Sequence, residues 1–275
     1  MRFAFVVSSG LGYKIDDLFY TESSFDEFEK ALRVLKQYGF NGVELNLSFD
    51  DRHKLDRIKM AINDSGLRLA AVGTGLVYAR ERLSFTDINA EKRRKALAIV
   101  KHLIRFASGK CNIVIIGVVR GPSSRRDNSV HDHLREGLTQ CDRIASENNV
   151  HIALEAINRY ETKLLNTATD VVQIIEQEEL TATGLLLDTF HMNIEEKSID
   201  ETVRNNVTRI VHFHIADSNR WSPGRGHLEI ANLLRILEGS GYEGWVSAET
   251  LPKPSNLEAV TDTAKFLRTH RLMRA

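Results

Sequence analysis

One pattern constrains this chain more than any other. A short β-rich run, a polar turn and an amphipathic helical stretch follow one another eight times in 275 residues. The predicted strands are 3–9 (FAFVVSS), 42–47 (GVELNL), 68–74 (RLAAVGT), 112–119 (NIVIIGVV), 151–156 (HIALEA), 184–190 (GLLLDTF), 210–217 (IVHFHIAD) and 244–250 (GWVSAET). Most are near-continuous apolar runs rather than alternations, as parallel strands covered on both faces should be. Between them, FDEFEKALRVLKQYG puts Phe25, Phe28, Leu32 and Leu35 on one helical stripe and stops at Gly39. EKRRKALAIVKHLIRFASG stops in the same way at Gly109, and TATDVVQIIEQEE offers Thr169 or Asp170 as an N-cap. No Pro/Ser-rich linker divides the chain. Eight strand–helix units without a boundary predict one α/β domain over residues 1–275, a closed (β/α)8 TIM barrel. The competing solution, a doubly wound open sheet, wants a phosphate-cradling glycine pattern in the first β–α turn, and SSGLGYK (8–14) lacks it.

Charge narrows the function classes. Lys+Arg and Asp+Glu both number 37, so the formal net charge is zero and there is no overall cationic field for nucleic acid. The apolar N-terminal run, Phe3 to Val7, is too short for a signal-peptide core or a membrane span, so the expected location is the cytoplasm with no membrane partner. Cys111 and Cys141 are too few and too far apart for a disulfide framework or zinc knuckle, and are expected to be free thiols.

Barrel enzymes build their sites where the strands end. Here the fifth predicted strand ends in Glu155, the sixth in Asp188, the seventh in His214 and the eighth in Glu249. His212 shares a face with His214, so period alone does not choose between them. Singly, each carboxylate reads as an N-cap or salt-bridge partner and each histidine as a satisfied core residue. Together, three carboxylates and an imidazole on four successive strands form a mostly oxygen set suited to Mn²⁺, Mg²⁺ or Co²⁺. Without a cation, three carboxylates at the mouth of an apolar barrel would repel one another. Glu44, near the end of the second strand, either reaches the same site or pairs with a barrel arginine.

ALEAINRYET, LLLDTFHMNIEE, HFHIADSNRWSPGRGH and WVSAET resemble signature segments of the xylose isomerase-like sugar isomerases and epimerases, nearest to the D-tagatose 3-epimerase and D-psicose (allulose) 3-epimerase branch. These motifs lie between Glu155 and Glu249; the first half of the chain, including 73–85 and 118–127, carries none that fixes a sugar. The resemblance implies one divalent metal, manganese first with Co²⁺, Mg²⁺ or Zn²⁺ as alternatives, held by Glu155, Asp188, His214 and Glu249. It implies that Glu155 and Glu249 are also the catalytic proton-transfer pair, and that Glu161, His191 and Arg220 bind a small-molecule sugar substrate. It suggests a homodimer or homotetramer.

The expected reaction is inversion at C3 of a free ketose through a cis-enediolate, one glutamate removing the proton and the other returning it from the opposite face. His191 would hydrogen-bond a sugar oxygen, or else cap a helix; Arg220 would hold a substrate oxygen, or else lie in a surface loop. The segment 221–227 (WSPGRGH) reads as a rigid turn over the site, with Trp221 either walling the sugar or forming a subunit contact. Alternatives within the same chemistry are 1,2-isomerisation of a hydroxypyruvate-, erythrulose- or inosose-type compound, and epimerisation of a sugar phosphate held by Arg125, Arg126, Arg220 and Arg225. An endonuclease IV-like apurinic endonuclease needs extra histidines on strands three and four, and those ends read VGTG and VVRG, leaving only His191 and His227 to mimic part of the set. A non-catalytic sugar sensor would not need both glutamates.

Overall fold

The computed structural model describes residues 1–8, 25–47, 54–122 and 129–273. The rest of the SSGLGYK turn, the side chain of Phe25, and Arg125 and Arg126 lie outside the described residues.

The strands are β1 (Arg2–Ser8), β2 (Gly42–Asn46), β3 (Arg68–Gly73), β4 (Ile113–Ile116), β5 (His151–Glu155), β6 (Thr183–Asp188), β7 (Ile210–Ile215) and β8 (Trp245–Ala248). Each pairs in parallel with the next, and β1 pairs with β8, closing the barrel. The helices on the way round are α1 (Phe25–Gln37), α2 (Leu55–Ser65), α3 (Gly75–Ala79), α4 (Ala90–Ala107), α5 (Ser129–Glu147), α6 (Ala168–Gln177), α7 (Thr189–Glu195), α8 (Ile199–Asn206), α9 (Ile230–Gly239) and α10 (Asn256–Thr269). The predicted strand positions hold, but most ends are shorter. The fourth strand stops at Ile116, because Gly117 starts the turn of 3₁₀ helix over Val118–Arg120.

The apolar runs divide as a doubly covered sheet requires. Val114, Ile116, Ile152, Leu154, Leu185, Leu187, Phe213 and Ile215 join one large core with the helices. Ala71, Ile115, Ala153 and Leu186 form a separate small cluster on the opposite, inward face. In the run Leu185–Leu186–Leu187–Asp188, the outer two leucines therefore face the helices, while Leu186 and Asp188 point into the barrel.

Helix α1 buries Phe28, Leu32 and Leu35, as its stripe predicts. Helix α6 starts earlier than expected. Thr167, not Thr169 or Asp170, is its N-cap: the Thr167 side chain accepts from Asp170 N–H, and the Asp170 carboxylate accepts from Thr167 N–H. Asp170 is thus the third residue of a reciprocal capping box, worth roughly 1 kcal/mol. Nothing among the described residues is a helix long and apolar enough to cross a membrane.

Candidate active site

The strand ends surround a cavity of about 570 Å³ whose lining includes Glu44, Glu155, His191, His214, Arg220 and Glu249. Register explains the convergence. Asp188 lies beside His214, and His214 beside Ser247, so the inward face of β6–β8 carries Asp188 and His214 and continues to Glu249, two residues past Ser247. Glu155 ends β5 on that face.

One potential ligand atom from each of Glu155, Asp188, His214 and Glu249 lies within 4.8 Å of every other. His214 Nδ1 is 3.0 Å from Glu249 Oε2, 3.7 Å from Asp188 Oδ2 and 3.9 Å from Glu155 Oε1. Yet His214 Nδ1 and Glu155 Oε1 are both buried without a well-angled hydrogen-bond partner. Two orphaned buried atoms facing each other inside three carboxylates are what a shared cation would satisfy, so the donor set fits a divalent metal. No ligand comes from β3 or β4 among the described residues, so the further sites of a zinc cluster do not form there.

The register also separates the two histidines. His214 faces the carboxylate set. His212 sits one layer deeper, fully buried, with Nε2 2.7 Å from Glu44 Oε2 and 3.1 Å from Ser247 Oγ. Glu44 does reach the site, but its partners are His212 and His214 rather than a barrel arginine.

Arg220 is not a surface residue of a loose loop. Its guanidinium donates to Asp188 Oδ2 and Glu249 Oε2, both at 2.6 Å, and stacks 4.9 Å from the Phe190 ring. Its backbone is left-handed, φ +64°, and is fixed by N–H donation to Asp217 O and acceptance from Leu251 N–H. The loop it belongs to is organised by Asp217, whose buried carboxylate accepts from the N–H groups of Ser218, Gly224 and Leu228. That is the rigid turn expected of WSPGRGH. Trp221, however, does not line the cavity; its apolar wall comes from Tyr78, Val118 and Ile157. Arg225 turns to Asp262 on α10, away from Arg220, which counts against the alternative of a phosphate held by these arginines together. His227 is exposed and bonded to Ser218, away from the cavity.

His191 is buried on α7, with Nε2 3.6 Å from Glu155 Oε1. Its Nδ1 lies 2.7 Å from Asn158 Nδ2. The Asn158 amide is oriented by its other bonds: Oδ1 accepts from Tyr160 N–H, and Nδ2 donates to Glu161 Oε1. The amide nitrogen therefore donates to Nδ1, and His191 carries its proton on Nε2, toward Glu155 and the cavity. Burial lowers its pKa to about 4, which keeps the ring neutral. Asn158, invisible as a site residue in the sequence, thus couples the two predicted substrate contacts Glu161 and His191. The Asp188 carboxylate both faces the site and caps α7, accepting from Phe190 N–H.

The same field separates the two glutamates. Burial, with Glu249 adding to it, raises the Glu155 carboxyl to about 8. At Glu249 burial acts in the same direction, but Arg220 and His214 outweigh it and hold the group below the ordinary carboxylate value. Asp188 is held well below that range by Arg220 and the nearby histidines, against its burial.

Beneath Glu155 sits Arg120, fully buried and also missed in the sequence. It donates to the backbone carbonyls of Glu155 and Leu165, and burial lowers its pKa to about 10. A lone arginine at the end of an apolar run was the available signal.

A parallel eight-stranded barrel with a carboxylate–imidazole set at its strand ends is a TIM barrel whose site could hold a metal ion. The chain belongs to the xylose isomerase-like TIM barrel family, matching it over residues 32–270. It is 26% identical to a D-psicose 3-epimerase of Enterocloster bolteae over 89% of this chain and 83% of that protein. It is also 26% identical to a 3-dehydro-D-guloside 4-epimerase of Escherichia coli, over 91% and 96%. Both relatives are epimerases, isomerase-class enzymes acting on sugars. The fold superposes on a crystal structure of D-psicose 3-epimerase with D-tagatose from Clostridium cellulolyticum, with a TM-score of 0.77, 21% identity and full coverage of both chains.

Proposed function

We propose that this protein is a divalent-metal-dependent ketose 3-epimerase acting on a free sugar. The observation that carries the reading is the placement of Glu155 and Glu249. They leave strands three apart in an eight-strand ring, so their carboxylates enter one cavity from different sides with the strands of Asp188 and His214 between them. Inversion at carbon needs proton removal on one face and return on the other, which a single carboxylate cannot do. Glu155, Asp188, His214 and Glu249 would hold the cation. When bound, it supplies a Lewis acid that draws charge from the substrate carbonyl as the adjacent C–H bond breaks.

One glutamate takes the C3 proton, giving a cis-enediolate, and the other returns a proton to the opposite face; the roles exchange with direction. The Nε2–H of His191 donates to a sugar oxygen where negative charge develops, and as a neutral ring it does so without competing for the reacting proton. Arg220 offers its guanidinium to a second sugar oxygen, and Glu161, held by Asn158, accepts from a hydroxyl. Manganese is the proposed ion, because the set is three oxygens and one nitrogen without sulfur.

Incubation with Mn²⁺ and D-fructose, D-tagatose, D-allulose or L-ribulose in D₂O tests this by NMR. The expected result is metal-dependent deuterium at C3 with appearance of the epimer. Deuterium at C1 would replace the reading with aldose–ketose isomerisation. The guloside-epimerase relative supports a second reading, the same step one carbon along a 3-keto sugar, which would place deuterium at C4 of such a substrate.

A further inference from the structure

Behind His214, one of the proposed metal ligands, the barrel encloses a carboxylate and a second imidazole that the proposed reaction does not use. Glu44 is 1% exposed and His212 is fully buried. Glu44 Oε2 lies 2.7 Å from His212 Nε2 and 3.2 Å from His214 Nε2, while Oε1 lies 3.1 Å from His214 Nε2. The two rings meet edge to face, 5.1 Å between centroids at 83°. Burying a carboxylate and two imidazoles is costly unless every contact is used, so a purely structural layer here would be better filled by aliphatic side chains.

We propose that Glu44 is a positioning residue that fixes the tautomer and ring orientation of His214, with His212 locking Glu44 in place. The inference rests on the metal-ligand role assigned to His214 above, and not on which sugar is turned over. A carboxylate only accepts, so both imidazoles must present N–H at Nε2. When His214 binds a cation as a neutral ring, its lone pair is then on Nδ1, the atom that faces Glu155, Asp188 and Glu249. The negative charge on Glu44 also makes that lone pair more basic, as a carboxylate behind a metal-bound histidine does. His212 gives Glu44 its second donor and is itself braced by Ser247 Oγ at 3.1 Å. Without that brace, the carboxylate could rotate off His214.

Glu44→Gln discriminates this role from simple packing. It preserves shape, but it removes the negative charge behind His214 and replaces one of the two acceptor oxygens with an NH₂ group, so the two imidazoles lose the anion that orders them. Titrating wild type and variant with Mn²⁺, following the free-ion EPR signal, is expected to show a 10- to 100-fold weaker dissociation constant in the variant, with an unchanged circular dichroism spectrum. Glu44→Asp should recover part of the loss. A folded Glu44→Gln that binds Mn²⁺ within twofold of wild type overturns the proposal. If the variants do not fold, the wild type decides. Long-range ¹H–¹⁵N spectra of the protein saturated with Zn²⁺, a diamagnetic probe, should show the His214 proton on Nε2. A proton on Nδ1, or a wild type that takes up neither ion, removes the proposal. A wild type that binds Mn²⁺ with this tautomer, but exchanges no sugar proton, would sink the epimerase reading and leave the role of Glu44 intact.

Discussion

A Cβ atom built on Gly117 would lie 2.6 Å from Glu155 Oε2. The glycine that ends the fourth apolar run is therefore the floor against which the Glu155 carboxylate rests. Gly73, at the end of β3, stands in the same relation to the Asn46 side chain. Both glycines make space for a side chain on a neighbouring strand.

Gly117→Ala should accordingly leave the barrel folded and displace the Glu155 carboxylate. A shift of about 1 Å in a reacting group costs on the order of 10²-fold in rate. The expected outcome is a large fall in kcat with a melting temperature within a few degrees of wild type. An alanine variant with full turnover would show that Glu155 works from another rotamer.

Glu155→Gln and Glu249→Gln each keep the side-chain shape and remove the titrating group. Each should lower kcat by roughly 10²- to 10⁴-fold, the usual contribution of a positioned acid or base. Single-turnover exchange in D₂O separates them: each variant should still exchange in the direction whose first proton transfer belongs to the surviving glutamate. Near-normal epimerisation in either variant, with Mn²⁺ retained, would remove that residue from the pair.

Arg120→Met retains most of the buried stem and strips the donors from the Glu155 and Leu165 carbonyls. Leaving two buried carbonyls short of a partner should cost about 2–3 kcal/mol, with the lost desolvation burden of the guanidinium offsetting part. Urea unfolding, compared at equal m-value, measures it. An unchanged midpoint would mean that water reaches both carbonyls. Because one of them belongs to Glu155, turnover should fall as well.

The Cys141 thiol, fully buried, is pushed up to about 12 by burial. It should be inert to thiol reagents in the native protein and reactive once unfolded. The unfolded thiol ionises near 8.5, well below the folded one, so above that pH the unfolded state has released a proton that the folded state keeps. The stabilisation is thus complete below about pH 8.5 and is lost as pH rises toward 12, by roughly 1.4 kcal/mol per pH unit. Urea midpoints for wild type and Cys141→Ala should diverge less at pH 10 than at pH 8. Parallel behaviour of the two would argue that the thiolate forms in the folded state.

Local chemistry and periodicity were enough to read the barrel and to mark the strand ends that meet in its cavity. Eight apolar runs of strand length admit few closures, and Glu155, Asp188, His214 and Glu249 each stand at a strand's end, where the fold puts its chemistry. The same run of three leucines, 185–187, shows what a one-dimensional pattern leaves open: both faces are apolar, so only register told which side Asp188 would take. Register likewise set His214, not His212, beside Asp188 and carried Glu44 across the barrel to both, 168 residues away in sequence from His212. The roles of Arg120, Asn158 and Gly117 could not be read from the sequence, because their partners are backbone carbonyls, an imidazole from a later helix and a carboxylate from the next strand. Sequence fixes which groups a strand can present. Only closure of the ring, which brings distant strands within hydrogen-bond range in a medium too dry to tolerate unpaired charge, decides which of them meet.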